Sequence, residues 1–294
     1  MAIEVHLIDG TYELFRHFFG VPSHLNARGR EVAAVRGVLS SVLALLGDGA
    51  THVGVATDHV IESFRNDMWP GYKTGAGVDP LLLGQFGLLE EALDAMGVTV
   101  WPMVALEADD AMAAAARTAA SDEAVARVII CTPDKDLGQC VVGNRVVQLD
   151  RRKGLLIDEE GVRAKFGVGP ASIPDYLALV GDSADGFPGL PGWGAKTTAA
   201  VLARYEHLEA IPDSPREWDV PIRNVAGLAV TLAAQRELAL LFRDLATLRT
   251  SPPVFGTVDE LRWTGPRAEF GGLAEMELDS DSLAQRAEAL AAGR

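Results

Sequence analysis

"ARVIICTPD", residues 126–134, is a short apolar run that ends in an acid. A run of this length, bounded by turn residues, reads as a buried strand. Two others end the same way: "EVHLID" (4–9) stops at Asp9 and "THVGVATD" (51–58) at Asp58. Helical patterns lie between them, over residues 31–47, 80–96 and 108–120. Strands alternating with helices predict a mostly parallel sheet with helices on both faces. In such sheets ligands bind beyond the carboxyl ends of the strands, so Asp9, Asp58 and Asp134 are expected along one edge. One acid there is an ordinary turn residue; three together favour a site.

More acids join them. "ALEADDAMAAAARTAA" (105–120) crowds Glu107, Asp109 and Asp110 at a helix start. The helix dipole favours a negative charge there by about 0.3–1 kcal/mol, which accounts for one or two of the three. Asp136 follows Asp134, and "GDSAD" (181–185) adds Asp182 and Asp185. Nine uncompensated carboxylates would repel one another and their pKa values would rise. An all-oxygen set without His or Cys selects hard divalent ions, Mg²⁺ or Mn²⁺. Two such ions about 3.5–4 Å apart can clamp the attacking and leaving oxygens of a phosphodiester displacement. No Ser-His-Asp set competes, and the six His residues (6, 17, 24, 52, 59, 207) include no i, i+4 pair.

The chain of 294 residues suffices for one large domain, or one domain with a smaller appendage. Cys131 and Cys140 lack metal-ligand spacing and read as reduced thiols of a cytosolic protein. No apolar stretch is long enough for a membrane span, and the N-terminus reads as a first strand, not a signal peptide. The net charge of −15 argues against a nucleic-acid partner, which calls for a basic footprint. Setting the nine acids aside leaves 32 acids against 26 bases, and two divalent ions would add positive charge where a phosphate sits. DNA contact is therefore expected on a narrow basic track, with strong salt sensitivity.

Past residue 150 the pattern changes. "KGLLID" (153–158) reads as a short strand, followed by helices over 159–166 and 173–182. Gly and Pro alternate through 186–194 before a helix opens at Ala195. Such a turn aims backbone N–H groups outward at a helix N-terminus and suits a phosphate; a plain loop is the bland alternative. Two more helices with scattered Arg are expected over 216–250, and an acidic, partly disordered extension from about 256.

In this order, "LIDGTYELFRHFF", "FRNDMWPGYK", "LEADDA", "TPDKDLGQ" and "GDSADGFPGLPGWGAKTTA" resemble the bacterial 5′ nucleases: the 5′–3′ exonuclease domain of DNA polymerase I and its stand-alone flap-endonuclease relatives. The last three motifs are the specific ones. With no polymerase domain following, the resemblance implies the stand-alone form. It implies a PIN-like core over 1–170 with an arch at about 66–95, a helix-hairpin-helix duplex-binding region over 171–255, and the extension 256–294. It implies a monomeric, cytoplasmic enzyme hydrolysing DNA at 5′ flaps and 5′ ends in replication and repair. Asp9, Asp58, Glu107 and Asp109 would surround one ion; Asp110, Asp134, Asp136 and Asp185 the second, with Asp182 close by. Arg16, Arg65, Tyr72 and Lys73 would lie near the scissile phosphate or in the arch. The turn with Gly189, Gly192, Gly194 and Lys196 would hold duplex phosphates and a K⁺ ion.

The chain departs from the family's pattern. Ala76 stands where an Arg is usual, and residues 74–95 hold no Lys or Arg. Gly186 replaces a usual Asn, Pro133 a usual Gly, and 224–230 lacks the usual lysines. The acids are complete but the DNA grip is thinned. Two rivals follow: a catalytically weak or inactive DNA-binding paralogue, and a small RNA-cleaving nuclease with a similar acid-lined sheet. The second lacks the glycine hairpin.

Overall fold

Ile3–Asp9 and His52–Asp58 are buried along nearly their whole length, the mark of strands covered on both faces. They belong to a computed structural model that describes residues 2–294. Along the chain the elements are β1 (Ile3–Asp9), α1 (Gly10–Gly20), α2 (Ala33–Gly47), β2 (His52–Asp58), α3 (Arg65–Met68), α4 (Pro80–Leu83), α5 (Phe86–Ala95), β3 (Thr99–Met103), α6 (Ala108–Ser121), β4 (Val125–Cys131), β5 (Val146–Asp150), β6 (Leu155–Ile157), α7 (Glu159–Phe166), α8 (Ile173–Val180), α9 (Ala195–Tyr205), α10 (Val225–Ala234), α11 (Arg236–Ala246), α12 (Phe270–Met276) and α13 (Asp281–Ala292). Among the described residues no single helix is long and apolar enough to cross a membrane.

The chain divides into two compact units. The first runs up to Ile61 and adds Gly75–Thr132 and Thr250–Arg294; the second comprises Glu62–Thr74 and Pro133–Arg249. This division by packing is not sequential, unlike the expected 1–170, 171–255 and 256–294.

In the first unit four parallel strands stand in the order β3-β2-β1-β4. β3 has no counterpart in the sequence reading, because Pro102 interrupts its pattern; Pro is tolerated on an edge strand, where β3 lies. The periodic stretch 80–96 splits into α4 and α5 around Gly84. The strand read over 126–134 stops at Cys131, just before Pro133, which has no N–H to give a ladder. The C-terminal segment differs most from expectation. α12 packs on α5 and α13 on α2. Buried Trp263 donates from its main chain to Thr51 O (2.9 Å) and from Nε1 to Met96 O (2.8 Å). Its apolar residues are too widely spaced in acidic sequence to announce this packing.

The second unit is mainly helical. β5 and β6 form an antiparallel pair, and α8 packs on α9 and α11. Its core includes Leu179, Phe187, Trp193 and Phe242. Buried Asp175 on α8 bonds Arg243 of α11 (3.1 Å) and His207 (2.8 Å). α8 ends at Val180, short of the expected 182, because Gly181 turns the chain at φ +87°.

Candidate metal centre

The first unit carries five of the nine acids. Register places Asp9 opposite Ala56 and Asp58 opposite Met103, so both acids close adjacent strands at their carboxyl ends. Asp9 caps α1: Oδ1 accepts from Tyr12 N (2.7 Å) and Oδ2 from Thr132 Oγ1 (2.9 Å). Asp58 Oδ1 accepts from Ala108 N (2.8 Å), which ties the end of β2 to the start of α6. Glu107 and Asp110 form a capping box there, with Glu107 N donating to Asp110 Oδ2 (3.0 Å). Both are buried, while Asp109 is half-buried. The helix-start role of two of these acids is therefore real, and Asp109 is left outside it.

The second unit carries the other four. Asp134 is not at a strand end. It lies in the loop after β4, where Oδ1 accepts from Asp136 N (2.9 Å). The loop 182–187 folds back on itself: Asp182 N donates to Phe187 O (2.8 Å), and Gly186 N to Asp182 O (2.9 Å). Gly186 has φ +85°, a conformation that Gly and Asn share. A Cβ there would lie 2.0 Å from Gly71 O, so the close chain approach makes glycine the residue that fits. The result is a tight triad: Asp136, Asp182 and Asp185 each present a carboxylate oxygen within 4.8 Å of the others.

Two lysines enter this triad. Lys73 Nζ is 2.9 Å from Asp185 Oδ1. Lys135 Nζ bonds Asp182 Oδ2 and stands 3.7 Å from Asp136 Oδ1. Even so, burial pushes the Asp136 carboxyl well above its ordinary range, and the charges of Asp134 and Asp185 push it further. A buried carboxylate held against its own neighbours calls for more positive charge. With oxygen donors alone, the set fits a hard divalent ion. Lys135 escaped the sequence reading because a Lys between two acids reads as a solvated charge; its place in "DKD" was the signal.

The remaining candidates are distributed differently from the sequence expectation. Arg65 is 1% exposed and caps the end of α11, donating from Nε to Leu245 O (2.8 Å) and from Nη2 to Thr247 O (3.3 Å). Both bonds tie it to backbone within the second unit. Tyr72 is buried in the same unit's core, with Lys73 Nζ 5.6 Å from its ring centre. Arg16 pairs with buried Glu13 on α1 and remains partly open to solvent. In the glycine turn, Gly189 is a packing glycine, since a Cβ would lie 2.4 Å from Gly181 N. Gly192, Gly194 and Lys196 are exposed at the start of α9, and a Cβ on Gly194 would meet nothing within 4 Å. Gly194 is the N-cap of α9 and brings no side-chain cap to the first N–H groups of the helix.

Residues 4–167 match the family model described as 5'-3' exonuclease, N-terminal resolvase-like domain. Residues 168–269 match 5'-3' exonuclease, C-terminal SAM fold. DNA polymerase I of Pseudomonas aeruginosa is 33% identical over 90% of this chain and 29% of its own length. DNA polymerase I of Bacillus caldotenax is 32% identical over 98% of this chain and 33% of its own length. The chain thus spans about a third or less of the length of these relatives. A structure of T5 5'-exonuclease with bound zinc shares the fold at a TM-score of 0.68 and 17% identity, covering 93% of this chain and 99% of that one. Flap endonuclease-1 from Methanococcus jannaschii gives 0.64 and 14%, covering 99% and 93%. On the strength of both family models and these relatives, the chain belongs to the 5'-3' exonuclease family, whose members are metal-dependent phosphodiester hydrolases.

Proposed function

We propose that the protein is a structure-specific nuclease that hydrolyses DNA phosphodiesters at 5′ flaps and 5′ ends, using two divalent ions. The triad of Asp136, Asp182 and Asp185 carries this reading: its oxygens converge within 4.8 Å, with Asp136 brought from a segment distant in sequence to the loop that holds Asp182 and Asp185. The nine acids Asp9, Asp58, Glu107, Asp109, Asp110, Asp134, Asp136, Asp182 and Asp185 would supply the oxygen ligands of the ions. When bound, Mg²⁺ or Mn²⁺ lowers the pKa of water and offsets phosphate charge. The protein's own groups do the rest. Lys73 brings a positive charge to the centre, Arg16 offers a partly exposed one on α1, and Arg65 and Tyr72 keep the residue 65–73 segment in place from within. The exposed start of α9, with Gly192, Gly194 and Lys196, would hold duplex phosphates and a K⁺ ion. The reading implies a cytosolic monomer acting in replication and repair.

The base-free stretch 74–95 favours a second reading, a DNA-binding relative with weak or no catalysis. Cleavage of a 5′-flapped duplex, a blunt duplex and single-stranded RNA, with and without Mg²⁺ or Mn²⁺, separates these. The proposal expects ion-dependent cutting of the flap substrate first; flap binding without cutting supports the second reading, and preference for RNA overturns both.

A further inference from the structure

Lys135 is sandwiched in sequence between Asp134 and Asp136, and its ammonium reaches across to Asp182. Asp136 and Asp182 are the same carboxylates proposed above as ligands of a divalent ion. The third member of the triad, Asp185, faces the ammonium of Lys73 at 2.9 Å. Every carboxylate of the triad thus meets a lysine of the second unit.

A protonated lysine has no lone pair and cannot join a coordination shell. It can only occupy carboxylate oxygens that an ion would otherwise use. We propose that Lys135 is a tethered counter-cation that competes with a divalent ion for Asp136 and Asp182, and so sets the affinity of this centre. The inference rests on the metal-centre reading of the triad. The competing description is a plain ion pair that only steadies the loop after β4. A plain pair, when removed, loosens the ligands and weakens ion binding. A competitor, when removed, strengthens it.

Titration of the full chain with Mn²⁺, read by the spectroscopic signal of the free ion, distinguishes the two without any cleavage assay. Asp185→Asn identifies which class of bound Mn²⁺ belongs to the triad. In Lys135→Met, which keeps the side chain's length and removes its charge, that class is expected to bind about tenfold or more tightly, the weight of one neighbouring unit charge. Lys135→Arg is expected to bind as the wild type does. Lys135→Gln serves if the Met variant does not fold. Unchanged or weaker binding in the neutral variants, with the class still lost in Asp185→Asn, overturns the role of Lys135 alone. If Asp185→Asn loses no Mn²⁺, the metal-centre reading falls, and this inference falls with it.

Discussion

Lys73 and Asp185 are bonded twice. The main-chain N of Lys73 donates to Asp185 O at 3.0 Å, and its ammonium stands 2.9 Å from Asp185 Oδ1. Trp69 Nε1 adds a bond to Gly186 O at 3.0 Å. The segment that ends in Lys73 and the loop that carries Asp185 are therefore held as one piece, and Lys73 is the last base before the 22 base-free residues 74–95. Preorganised charge aimed at a transition state is worth about 3–4 kcal/mol, or 10²–10³ in rate. Lys73→Ala is expected to lower the single-turnover rate on a 5′ flap by about that factor, with a much smaller change in flap affinity. A rate within a few-fold of wild type would leave Lys73 as a structural ion pair only.

Arg65 is predicted to act on stability first. Its buried guanidinium meets the carbonyls at the end of α11, and hydrogen bonds to a charged group contribute about 1.5–3 kcal/mol each. Arg65→Ala is expected to destabilise the protein by about 2–4 kcal/mol, read by chemical denaturation. Full stability together with lost cleavage would instead return Arg65 to the phosphate.

The start of α9 is predicted to hold duplex and take no part in chemistry. Gly194 is open to solvent and free of strain. Replacing it with Leu puts a bulky side chain where a phosphate would approach the N–H groups. Binding to flapped duplex is expected to weaken while the saturated single-turnover rate holds. A collapsed rate with unchanged affinity would place the turn in the active site.

Acid should expose the Glu209–Arg243 pair. The two oxygens of Glu209 lie 2.6 and 2.7 Å from the Arg243 guanidinium, whose hydrogen bonds lower the Glu209 carboxyl from 4.5 to about 2. A carboxyl depressed by folding contributes stability above its unfolded value and loses it as pH falls through the folded one. The contribution is thus complete above about pH 4.5 and fades toward pH 2. Thermal melts of Glu209→Gln across this window should fall less steeply than those of the wild type; equal slopes would show that the exposed pair contributes nothing.

Much of this was legible in the sequence where one residue type has one meaning. The acids closing β1 and β2, the boundaries of α7, and the start of α9 follow from pattern, caps and glycine. The sequence misled where tertiary contacts decide. Arg65 and Tyr72 belong to a motif that suggests DNA, yet both are buried, and only the partner across the fold, α11 or the core, reveals that. β3 was hidden by Pro102, and α12 and α13 by sparse apolar residues in an acidic segment. Lys135 reads as a surface charge until Asp182, 47 positions on, is placed beside it.

The central claim is that ions held by these carboxylates cut DNA, and Asp109 tests it most directly. It shares the start of α6 with Glu107 and Asp110 but takes no part in their capping box, so its loss should spare the fold more than theirs would. Single-turnover cleavage of a 5′-flapped duplex in Mn²⁺, with flap affinity measured in parallel, is the measurement. The account predicts that the wild type cuts only with the ion present, and that Asp109→Ala binds the flap but does not cut it. Cleavage by the wild type in a chelator, or activity of Asp109→Ala above roughly a tenth of wild type against the 10²–10³ expected of such a group, would contradict it.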